Sequence, residues 1–281
     1  MIYNLLRVSQ WYKNLLIYLP LIFIGQLFDL ESLSVVTMGF ICLCLISSVN
    51  YIINDILDRE KDRNHPEKKN RPIASGKISV GFASFLAFFL FVTSGIISLY
   101  LSFGFFLVVM ALFVLTQIYS FGMKNEPFAD ILMIGINFVL RAVSGTFLID
   151  SIISPWLILC TFFLSLFLSS AKRHSDIVLM GENAWRHKKV LKFYDIKITG
   201  LLMILFTSLL VMSYALYSFL SQYPNLIWTL PLALYVILRY YSLAMKGDII
   251  ARHPERAILD RRLVLGVLFW SFLVLFIIYS F

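Results

Sequence analysis

Charged residues are scarce in this chain of 281 residues, making up only 14% of it. A soluble domain contains about 25% charged residues. Hydrophobic residues account for 60% of the sequence, and 26 residues are phenylalanine. Strict alternation over about ten residues, which marks the strands of a membrane barrel, is missing as well. The shortage of charge therefore excludes an ordinary soluble domain and indicates an all-α membrane protein.

Cysteine is also scarce. The three cysteines, Cys42, Cys44 and Cys160, all lie inside apolar runs. An odd, buried set of this kind excludes a disulfide framework and a zinc site, so we interpret these residues as small packing side chains. The sequence also lacks a Gly-rich phosphate loop and a serine nucleophile elbow. The four histidines are His65, His174, His187 and His253. None of them has the spacing of a zinc-binding helix.

Long apolar runs are what the chain has instead. A hydrocarbon core of roughly 30 Å needs about 20 apolar residues per helical crossing. We therefore predict a polytopic bundle of nine transmembrane helices forming a single domain over residues 1–281. The runs lie near residues 14–28, 33–54, 80–100, 102–122, 128–149, 155–171, 198–220, 226–245 and 263–281.

The first run could be mistaken for a secretory signal, because it follows Arg7 and Lys13. Asp29 and Glu31 come after it, with no small-residue cleavage site. We therefore interpret the run as a retained first helix.

Lysine and arginine are missing from one side of the predicted bundle. If nine helices alternate, five connecting segments share one side of the membrane. Together with the adjoining helix ends, these segments hold every Lys and Arg except Arg141. They are residues 1–13, 55–79, 123–127, 172–197 and 246–262. Basic loops stay in the cytoplasm. We therefore predict an integral cytoplasmic (inner) membrane protein with a cytoplasmic amino terminus and active site, and an external carboxyl terminus. The basic face suits anionic membrane lipids, and we predict no nucleic-acid partner.

Acids are rare, and three of them lie close together at the end of the second run. The stretch NDILDREKDRNHPEKKNRPIASG begins at Asn54, and within it Asp55, Asp58 and Asp62 are spaced by three and four residues. This spacing places the three carboxylates on one stripe of a helix, where they repel one another. The stripe predicts a bound cation, for which Mg²⁺ is the hard-oxygen candidate. Asn54 adds a neutral oxygen to the predicted ligand set.

A basic loop follows the acids. The His65-Pro66 step disfavours further helix, and Lys68 and Arg71 come soon after it. A metal-binding stripe followed by cations suits a diphosphate, because metal and guanidinium or ammonium groups both bind phosphate oxygens. The alternative is that the acids pair locally with the basic residues between them as a solvated helix end.

Two further charged features stand out. The sixth run continues into a second charged segment, where Lys172 and Arg173 precede Asp176 by a helical turn. Arg141 lies well inside the fifth run, one turn after Asn137. A cation at that depth is costly and indicates a functional site. The structural alternative for Arg141 is a pair with a carboxylate or carbonyl of a neighbouring helix.

The Asn-Asp-x-x-Asp-x-x-x-Asp element that ends the second predicted helix resembles the UbiA superfamily of intramembrane prenyltransferases. More narrowly, the chain is similar to the decaprenyl-phosphate phosphoribosyltransferase branch. The similarity covers essentially the whole chain and includes NDILDREKDRNHPEKKNRPIASG, LRVSQWYKN, FVLRAVSG, the KR after the sixth helix, and PERAILDRR. It implies transfer of phosphoribose from 5-phosphoribosyl 1-diphosphate to a polyprenyl phosphate, with release of diphosphate and with Mg²⁺ as cofactor.

The resemblance assigns roles to individual residues. Catalytic roles fall on Asp55, Asp58, Asp62, Lys172 and Arg173. The metal ligands are Asn54, Asp55, Asp58 and Asp62. The donor phosphates are bound by Lys68, Arg71, Lys172 and Arg173. The candidates for the acceptor lipid phosphate are Gln10, Lys13 and Arg141, because they lie at or below the predicted membrane edge where a lipid headgroup enters. The candidates for orienting the ribose are Asp176 and Tyr194.

Two other functions remain open at this point. Ordinary superfamily members join a prenyl diphosphate to an aromatic or other small acceptor and carry a second Asp-rich motif, where this chain has Lys172-Arg173-His174-Ser175-Asp176. A transporter without chemistry is the third possibility, but paired Gly- or Pro-broken helices are missing. Small residues such as Gly135 and Gly145 could pack helices within the chain or in a homo-oligomer.

Overall fold

The computed structural model describes residues 1–64 and 68–280, without the side chains of Glu182, Arg186 and His187. The helix end predicted at His65 and Pro66 lies outside the described residues. Within them the chain contains helices, turns and bends but no β-strand, so the all-α class is confirmed.

The described residues form thirteen α-helices, joined by turns and 3₁₀ segments. They are α1 Ile2–Leu6, α2 Leu19–Phe23, α3 Leu30–Leu57, α4 Arg59–Arg63, α5 Val80–Leu101, α6 Phe103–Phe121, α7 Ala129–Ser144, α8 Pro155–Met180, α9 Ala184–His187, α10 Ile196–Leu220, α11 Leu230–Met245, α12 Ile249–Arg252 and α13 Arg261–Ser280. The 3₁₀ segments are Val8–Tyr18, Lys68–Asn70, Met123–Asn125, Gly145–Phe147, Gly181–Asn183, Lys189–Lys192, Pro224–Thr229 and Pro254–Leu259.

Eight helical stretches of the described chain are long and apolar enough to cross a membrane. They match the second to ninth predicted runs, and the chain is an integral membrane protein. The predicted count of nine is not confirmed. The first run is helical but consists of the 3₁₀ segment Val8–Tyr18 and the five residues of α2, so it contains no single helix of spanning length.

The first run nevertheless extends along α3 in the opposite direction. Successive side-chain contacts join Arg7 to Asp55, Trp11 to Ser48, Asn14 to Cys44 and Tyr18 to Thr37. Between its first and last partners α3 rises by about 27 Å, at about 1.5 Å per residue. The amino terminus and the end of α3 therefore lie at the same level.

The chain divides into two compact units, and the prediction of one domain over residues 1–281 stays a prediction. Unit 1 comprises residues 1–121 and 140–152. In it α3 packs against α5, α6 and the Val8–Tyr18 segment, around a core that includes Leu43, Ile46 and Phe105. Asp29 caps α3 by accepting the Ser32 N–H, which satisfies one of the helix's first amides.

Unit 2 comprises residues 122–139 and 153–281. In it α8 packs along α10 and also contacts α11 and α12. Its core includes Leu166, Phe167 and Met203. Asp195 caps α10 by accepting the Ile198 N–H.

The two longest helices carry predicted charged residues near their carboxyl-terminal ends. Helix α3 has 28 residues and α8 has 26, which corresponds to about 42 Å and 39 Å. Both lengths exceed the thickness of a hydrocarbon core, which is roughly 30 Å. Asp55 lies in the last turn of α3, and Arg173 lies two turns before the end of α8.

Candidate functional site

Arg71 brings two of the three predicted acids together. Its Nη1 donates to Asp55 Oδ1 at 3.1 Å and to Asp62 Oδ2 at 2.5 Å. Asp55 Oδ1 also accepts a hydrogen bond from Arg7. Both carboxylates are buried, and both arginine side chains are 23% exposed. We call Arg7, Asp55, Asp62 and Arg71 the acid–arginine cluster of unit 1.

Asp58 has a different environment. It ends α3, is only partly buried, and forms an ion pair with Lys61 at 3.5 Å. The alternative that the acids pair with nearby basic residues, which the sequence left open, therefore applies to Asp58. Asp55 and Asp62 instead pair with arginines from elsewhere in the chain.

The acid–arginine cluster suits a hard divalent cation. Asp55 Oδ2 is buried and has no hydrogen-bond partner among the described residues. No group of three or more His, Cys, Asp or Glu side chains in those residues is arranged to hold a metal. Mg²⁺ usually takes one or two carboxylates and completes its shell with water and phosphate oxygens. Asp55 and Asp62 fit that pattern, and the metal roles of Asn54 and Asp58 stay predictions.

Arg7 occupies a strained backbone position. Its φ of 50° and ψ of 48° lie in the left-handed region that favours glycine. The guanidinium lies 4.8 Å from the centre of the Tyr51 ring and binds Asp55. Strain of this kind persists where surrounding contacts enforce it, often at functional sites. The sequence prediction missed Arg7, although it lies in the LRVSQWYKN motif.

Lys68 and Arg71 are adjacent through the short 68–70 turn, where the Arg71 N–H donates to the Lys68 carbonyl at 2.9 Å. Burial, reinforced by the Arg71 guanidinium, lowers the pKa of Lys68. Two of the four cations predicted to bind the donor phosphates therefore lie together.

Arg141 is held deep in unit 1 by an amide. Its Nε donates to Asn14 Oδ1 at 2.9 Å, and Ser47 Oγ donates to the same oxygen at 3.3 Å. The structural alternative for Arg141 was a carboxylate or carbonyl of a neighbouring helix, and the carbonyl oxygen of the Asn14 amide, in the 3₁₀ segment Val8–Tyr18, is an acceptor of that kind. The predicted acceptor-phosphate roles of Gln10, Lys13 and Arg141 stay predictions.

The Lys-Arg-His-Ser-Asp motif near the end of α8 is mostly buried in unit 2. Only Lys172 is exposed. The other four residues contact neighbouring elements, with Arg173 bound to Asp130, His174 to Thr199, Ser175 to the Ala244 carbonyl and Asp176 to Arg252. Asp176 accepts the Arg252 Nε–H at 2.8 Å, so its carboxylate already fixes α12 to α8.

Asp130 is the centre of the polar cluster in unit 2. Its Oδ2 accepts from Arg173 Nε at 3.0 Å, from Arg173 Nη2 at 2.8 Å and from Lys188 Nζ at 2.9 Å. Its Oδ1 accepts from the Tyr194 hydroxyl at 2.9 Å. The Tyr194 oxygen in turn accepts the N–H of Phe128, whose φ is 63°. We call Asp130, Arg173, Lys188 and Tyr194 the Asp130 cluster.

The Asp130 cluster changes how two predicted residues are interpreted. Tyr194, predicted to contact ribose, is buried and orients Asp130. Burial and the nearby Asp130 carboxylate raise the pKa of Tyr194. Arg173, predicted to bind phosphate directly, is 4% exposed and directs two of its N–H groups to Asp130.

Sequence reasoning missed Asp130 and its second cation, Lys188. Asp130 lies in the first turn of an apolar run. An acid at the edge of an apolar run indicates a functional site for the same reason as Arg141 does, because a charge there is costly. Lys188 carried no separate signal, because it is one of several lysines in its segment.

The prediction that Arg141 is the one cation inside an apolar run is wrong. Arg239 lies more than a turn before the end of α11, and its Nη2 donates to Asp260 Oδ2 at 2.5 Å. Hydrogen bonds from Arg239 lower the pKa of Asp260. Asp260 also caps α13 by accepting the Leu263 N–H.

Comparison with known proteins identifies the fold and the class. Residues 16–249 match the UbiA prenyltransferase family. The chain belongs to this family. Its UbiA relatives include proteins named decaprenyl-phosphate phosphoribosyltransferase. The one from Mycolicibacterium smegmatis is 31% identical over 94% of this chain and 88% of the relative. The one from Corynebacterium glutamicum is 33% identical over 98% and 85%.

The UbiA fold is seen in solved structures as well. A UbiA homologue from Archaeoglobus fulgidus, solved with GPP and Mg²⁺ bound, superposes with a TM-score of 0.73. The match covers 99% of both chains at 18% identity. The predicted UbiA-like fold and the assignment as a transferase are thereby confirmed.

Proposed function

We propose that this UbiA-family enzyme transfers 5-phosphoribose from 5-phosphoribosyl 1-diphosphate to a polyprenyl phosphate, in a Mg²⁺-dependent reaction that releases diphosphate. The observation that carries the choice of donor is the basic Asp130 cluster, in which Arg173 and Lys188 share one carboxylate. A ribose with phosphate on two of its carbons needs cations in two places, whereas a prenyl diphosphate needs them in one. The names of the two full-length relatives support the same choice.

We assign the diphosphate of the donor to the acid–arginine cluster of unit 1. Arg71 and Lys68 supply positive charge for phosphate oxygens. Asp55 and Asp62 would hold the metal. When bound, Mg²⁺ would offset the negative charge that develops on the departing diphosphate.

The reaction needs little acid–base chemistry from the protein. The bond between the anomeric carbon and the diphosphate oxygen breaks as positive charge develops on the ribose. The attacking phosphate oxygen of the lipid is already an anion, so no general base is required. The protein's contribution is therefore positioning and electrostatics. Arg141, Gln10 and Lys13 are the proposed partners of the lipid phosphate.

In this proposal Asp176 and Tyr194 do not contact the ribose themselves. They act only by positioning other residues. Asp176 fixes Arg252, and Tyr194 fixes Asp130. We propose further that both clusters face the cytoplasm, where a water-soluble donor is available.

A labelled donor tests the proposal. The purified protein in lipid nanodiscs is incubated with labelled 5-phosphoribosyl 1-diphosphate, decaprenyl phosphate and Mg²⁺. We expect a labelled lipid product that disappears when the metal is chelated. No labelled lipid, together with a product from geranyl diphosphate and an aromatic acceptor, would instead establish the alternative UbiA-type prenyltransferase.

Arg71→Met provides the matched variant. We expect transfer to fall roughly a hundredfold or more, because two charge-assisted hydrogen bonds and a phosphate-binding cation are lost. Lys77→Met, which removes an exposed cation of the same loop, should remain close to the wild-type rate. Equal transfer rates for the two variants would show that Arg71 does not belong to the site.

A further inference from the structure

We infer that unit 2 binds one anionic phospholipid of the membrane, with an acyl chain in a groove beside α13 and the phosphate on Arg261. The site is independent of the proposed reaction, because none of its residues belongs to the acid–arginine cluster or to the Asp130 cluster. It gives a role to the PERAILDRR motif, to which the proposed function assigns none.

The groove is an apolar cavity of about 370 Å³ on the surface of unit 2. It lies between α8, α11, α13 and the 3₁₀ segment Pro254–Leu259, and none of the described side chains that line it is charged. Its rim is open, because the lining residues Leu164 and Leu268 are 38% and 60% exposed. Since α13 is long and apolar enough to cross a membrane, an open groove along it faces lipid. A volume of this size is within the range of about 300–1,000 Å³ that is usual for ligand sites.

Arg261 lies on the stripe of α13 that borders the groove. Val264 and Leu268, which line the groove, follow Arg261 by three and seven residues. This spacing places the three residues on one face of the helix. Arg262 instead shares its face with Leu265, a residue of α13 outside the lining of the groove. Both arginines are exposed, but only Arg261 is aligned with the groove.

Positive charge dominates this end of the groove. Residues 254–262 contain three arginines and two acids. One of the acids, Asp260, is already paired, because its Oδ2 accepts from Arg239 Nη2 and its Oδ1 accepts the N–H of Leu263. The three arginines are therefore opposed mainly by Glu255, which is exposed.

This charge balance favours an anionic headgroup over a zwitterionic one. Guanidinium groups bind phosphate oxygens through strong, charge-assisted hydrogen bonds. The ammonium group of a zwitterionic lipid would lie among arginines and would be repelled by them. An anionic phospholipid carries the phosphate without that second charge, so it suits the site better.

The segment beside the groove has the composition of a segment at the membrane surface. In Pro254–Leu259 the apolar residues Ile258 and Leu259 are 77% and 68% exposed, and Arg256 is exposed as well. Exposed apolar side chains next to arginines are typical of segments that lie in the headgroup region of a bilayer. Helix α13 has no charged residue after its first two arginines. The start of α13 therefore marks the level of the headgroups, where a lipid phosphate can reach Arg261 while an acyl chain follows the groove.

The test measures lipid binding to the full-length protein by native mass spectrometry in detergent. The probes are phosphatidylglycerol and phosphatidylcholine with identical acyl chains. We expect one phosphatidylglycerol to bind per chain more tightly than phosphatidylcholine. Arg261→Met should weaken phosphatidylglycerol binding by about tenfold or more, since a charge-assisted hydrogen bond is lost. Arg262→Met removes the adjacent exposed cation and is the matched control, which should bind this lipid as the wild type does.

A second pair of variants tests the groove itself. Leu268→Trp places a large ring at the rim and should weaken phosphatidylglycerol binding, because the ring competes with the acyl chain for the same space. Leu265→Trp adds the same ring to an exposed position of α13 outside the lining and should leave binding unchanged. Both leucines are exposed, and unchanged melting temperatures establish that the variants are folded.

Four outcomes would overturn the inference. Equal affinity for the two lipids would remove the selectivity, and equal losses in Arg261→Met and Arg262→Met would reduce the effect to general surface charge. Displacement of phosphatidylglycerol by a lower concentration of decaprenyl phosphate would assign the groove to the acceptor of the proposed reaction. Oligomers that carry no phosphatidylglycerol and dissociate in Leu268→Trp would assign it to a second copy of the chain. None of these results depends on whether phosphoribosyl transfer occurs.

Discussion

At the scale of single residues, one buried carboxylate determines the behaviour of the basic cluster in unit 2. Asp130 is fully buried and accepts four hydrogen bonds, three of them from charged groups. A buried ion is tolerated only when its partners satisfy it, and removing one partner leaves the other uncompensated. The stability of this region should therefore depend on Asp130 more than on any one cation bound to it.

Asp130→Ala should destabilise the protein by about 3–5 kcal/mol, because the buried Arg173 would keep its charge and lose both hydrogen bonds to this carboxylate. Arg173→Met should cost less, since Asp130 would still bind Lys188 and Tyr194. The double variant should be less destabilised than the sum of the two. Thermal or denaturant unfolding in detergent measures these differences. Additive effects would mean that the two residues do not interact energetically.

The protonation of Lys188 should change within the range of ordinary buffers. Burial, reinforced by the charge of Arg173, lowers its pKa from 10.5 to about 8, so the charged form is lost as the pH rises through that value. The raised pKa of the neighbouring Tyr194 keeps that phenol protonated over the same range.

The stability of the folded chain should depend on the protonation of Lys188. Between about pH 8 and 10.5 the unfolded chain binds this proton and the folded chain does not, so unfolding free energy rises with pH across that window. Below pH 8 both states are protonated and the contribution is constant. Denaturant unfolding of wild type and Lys188→Met in detergent from pH 7 to 10.5 measures this contribution. A rise of equal size in Lys188→Met would assign the titration to another group.

At the scale of elements, a glycine sets how closely the first run packs. A methyl group added at Gly145 would lie 2.2 Å from the carbonyl oxygen of Ile17. The obstructing atom belongs to the backbone, so rotation of a side chain cannot relieve the contact. Gly135, the other small residue chosen from the sequence, packs against Phe162 and Leu166 of its own unit. Both glycines therefore serve contacts within the chain.

Gly145→Ala should destabilise the protein by about 1–3 kcal/mol or more, the usual range for overpacking. Gly200→Ala in α10 is the control, because a methyl group there meets nothing within 4 Å. The control should be neutral or stabilise by about 0.5–1 kcal/mol through helix propensity. Melting temperatures in detergent compare the two variants. Equal effects would show that the approach to Ile17 is not tight in solution.

At the scale of the whole molecule, the number of crossings decides where the two termini lie. Eight stretches of the described chain meet the length and composition of a spanning helix, and the first run extends antiparallel to α3. We predict that this broken first run crosses as well. Nine crossings place the termini on opposite faces of the membrane, whereas eight place them on the same face.

Reporter fusions distinguish these topologies. A green fluorescent protein fused in segment 246–262 should fluoresce, because we predict that this segment is cytoplasmic. Alkaline phosphatase fused at the carboxyl terminus should be active outside, and a fusion at the amino terminus should fluoresce. Fluorescence at both termini would rule out nine crossings.

The sequence alone was sufficient to locate the spanning helices and the two charged motifs. A bilayer requires about 20 apolar residues per crossing, and runs of that length can be identified directly from the hydropathy of the sequence. Eight of the nine predicted runs correspond to helices of that kind, and the family motif at the end of α3 was recognisable by its spacing. The first run was harder, since its 3₁₀ geometry and Pro20 have no counterpart in hydropathy.

Only the tertiary structure decided which cation binds which acid. Helical spacing relates residues three or four apart, but Arg7 binds Asp55 across 48 positions and Arg173 binds Asp130 across 43. Such partners are chosen by how helices pack, which no local pattern encodes. The sequence therefore predicted a basic, acid-poor motif at the end of α8, while the fold made Asp130 its centre and left Lys188 as its more exposed cation.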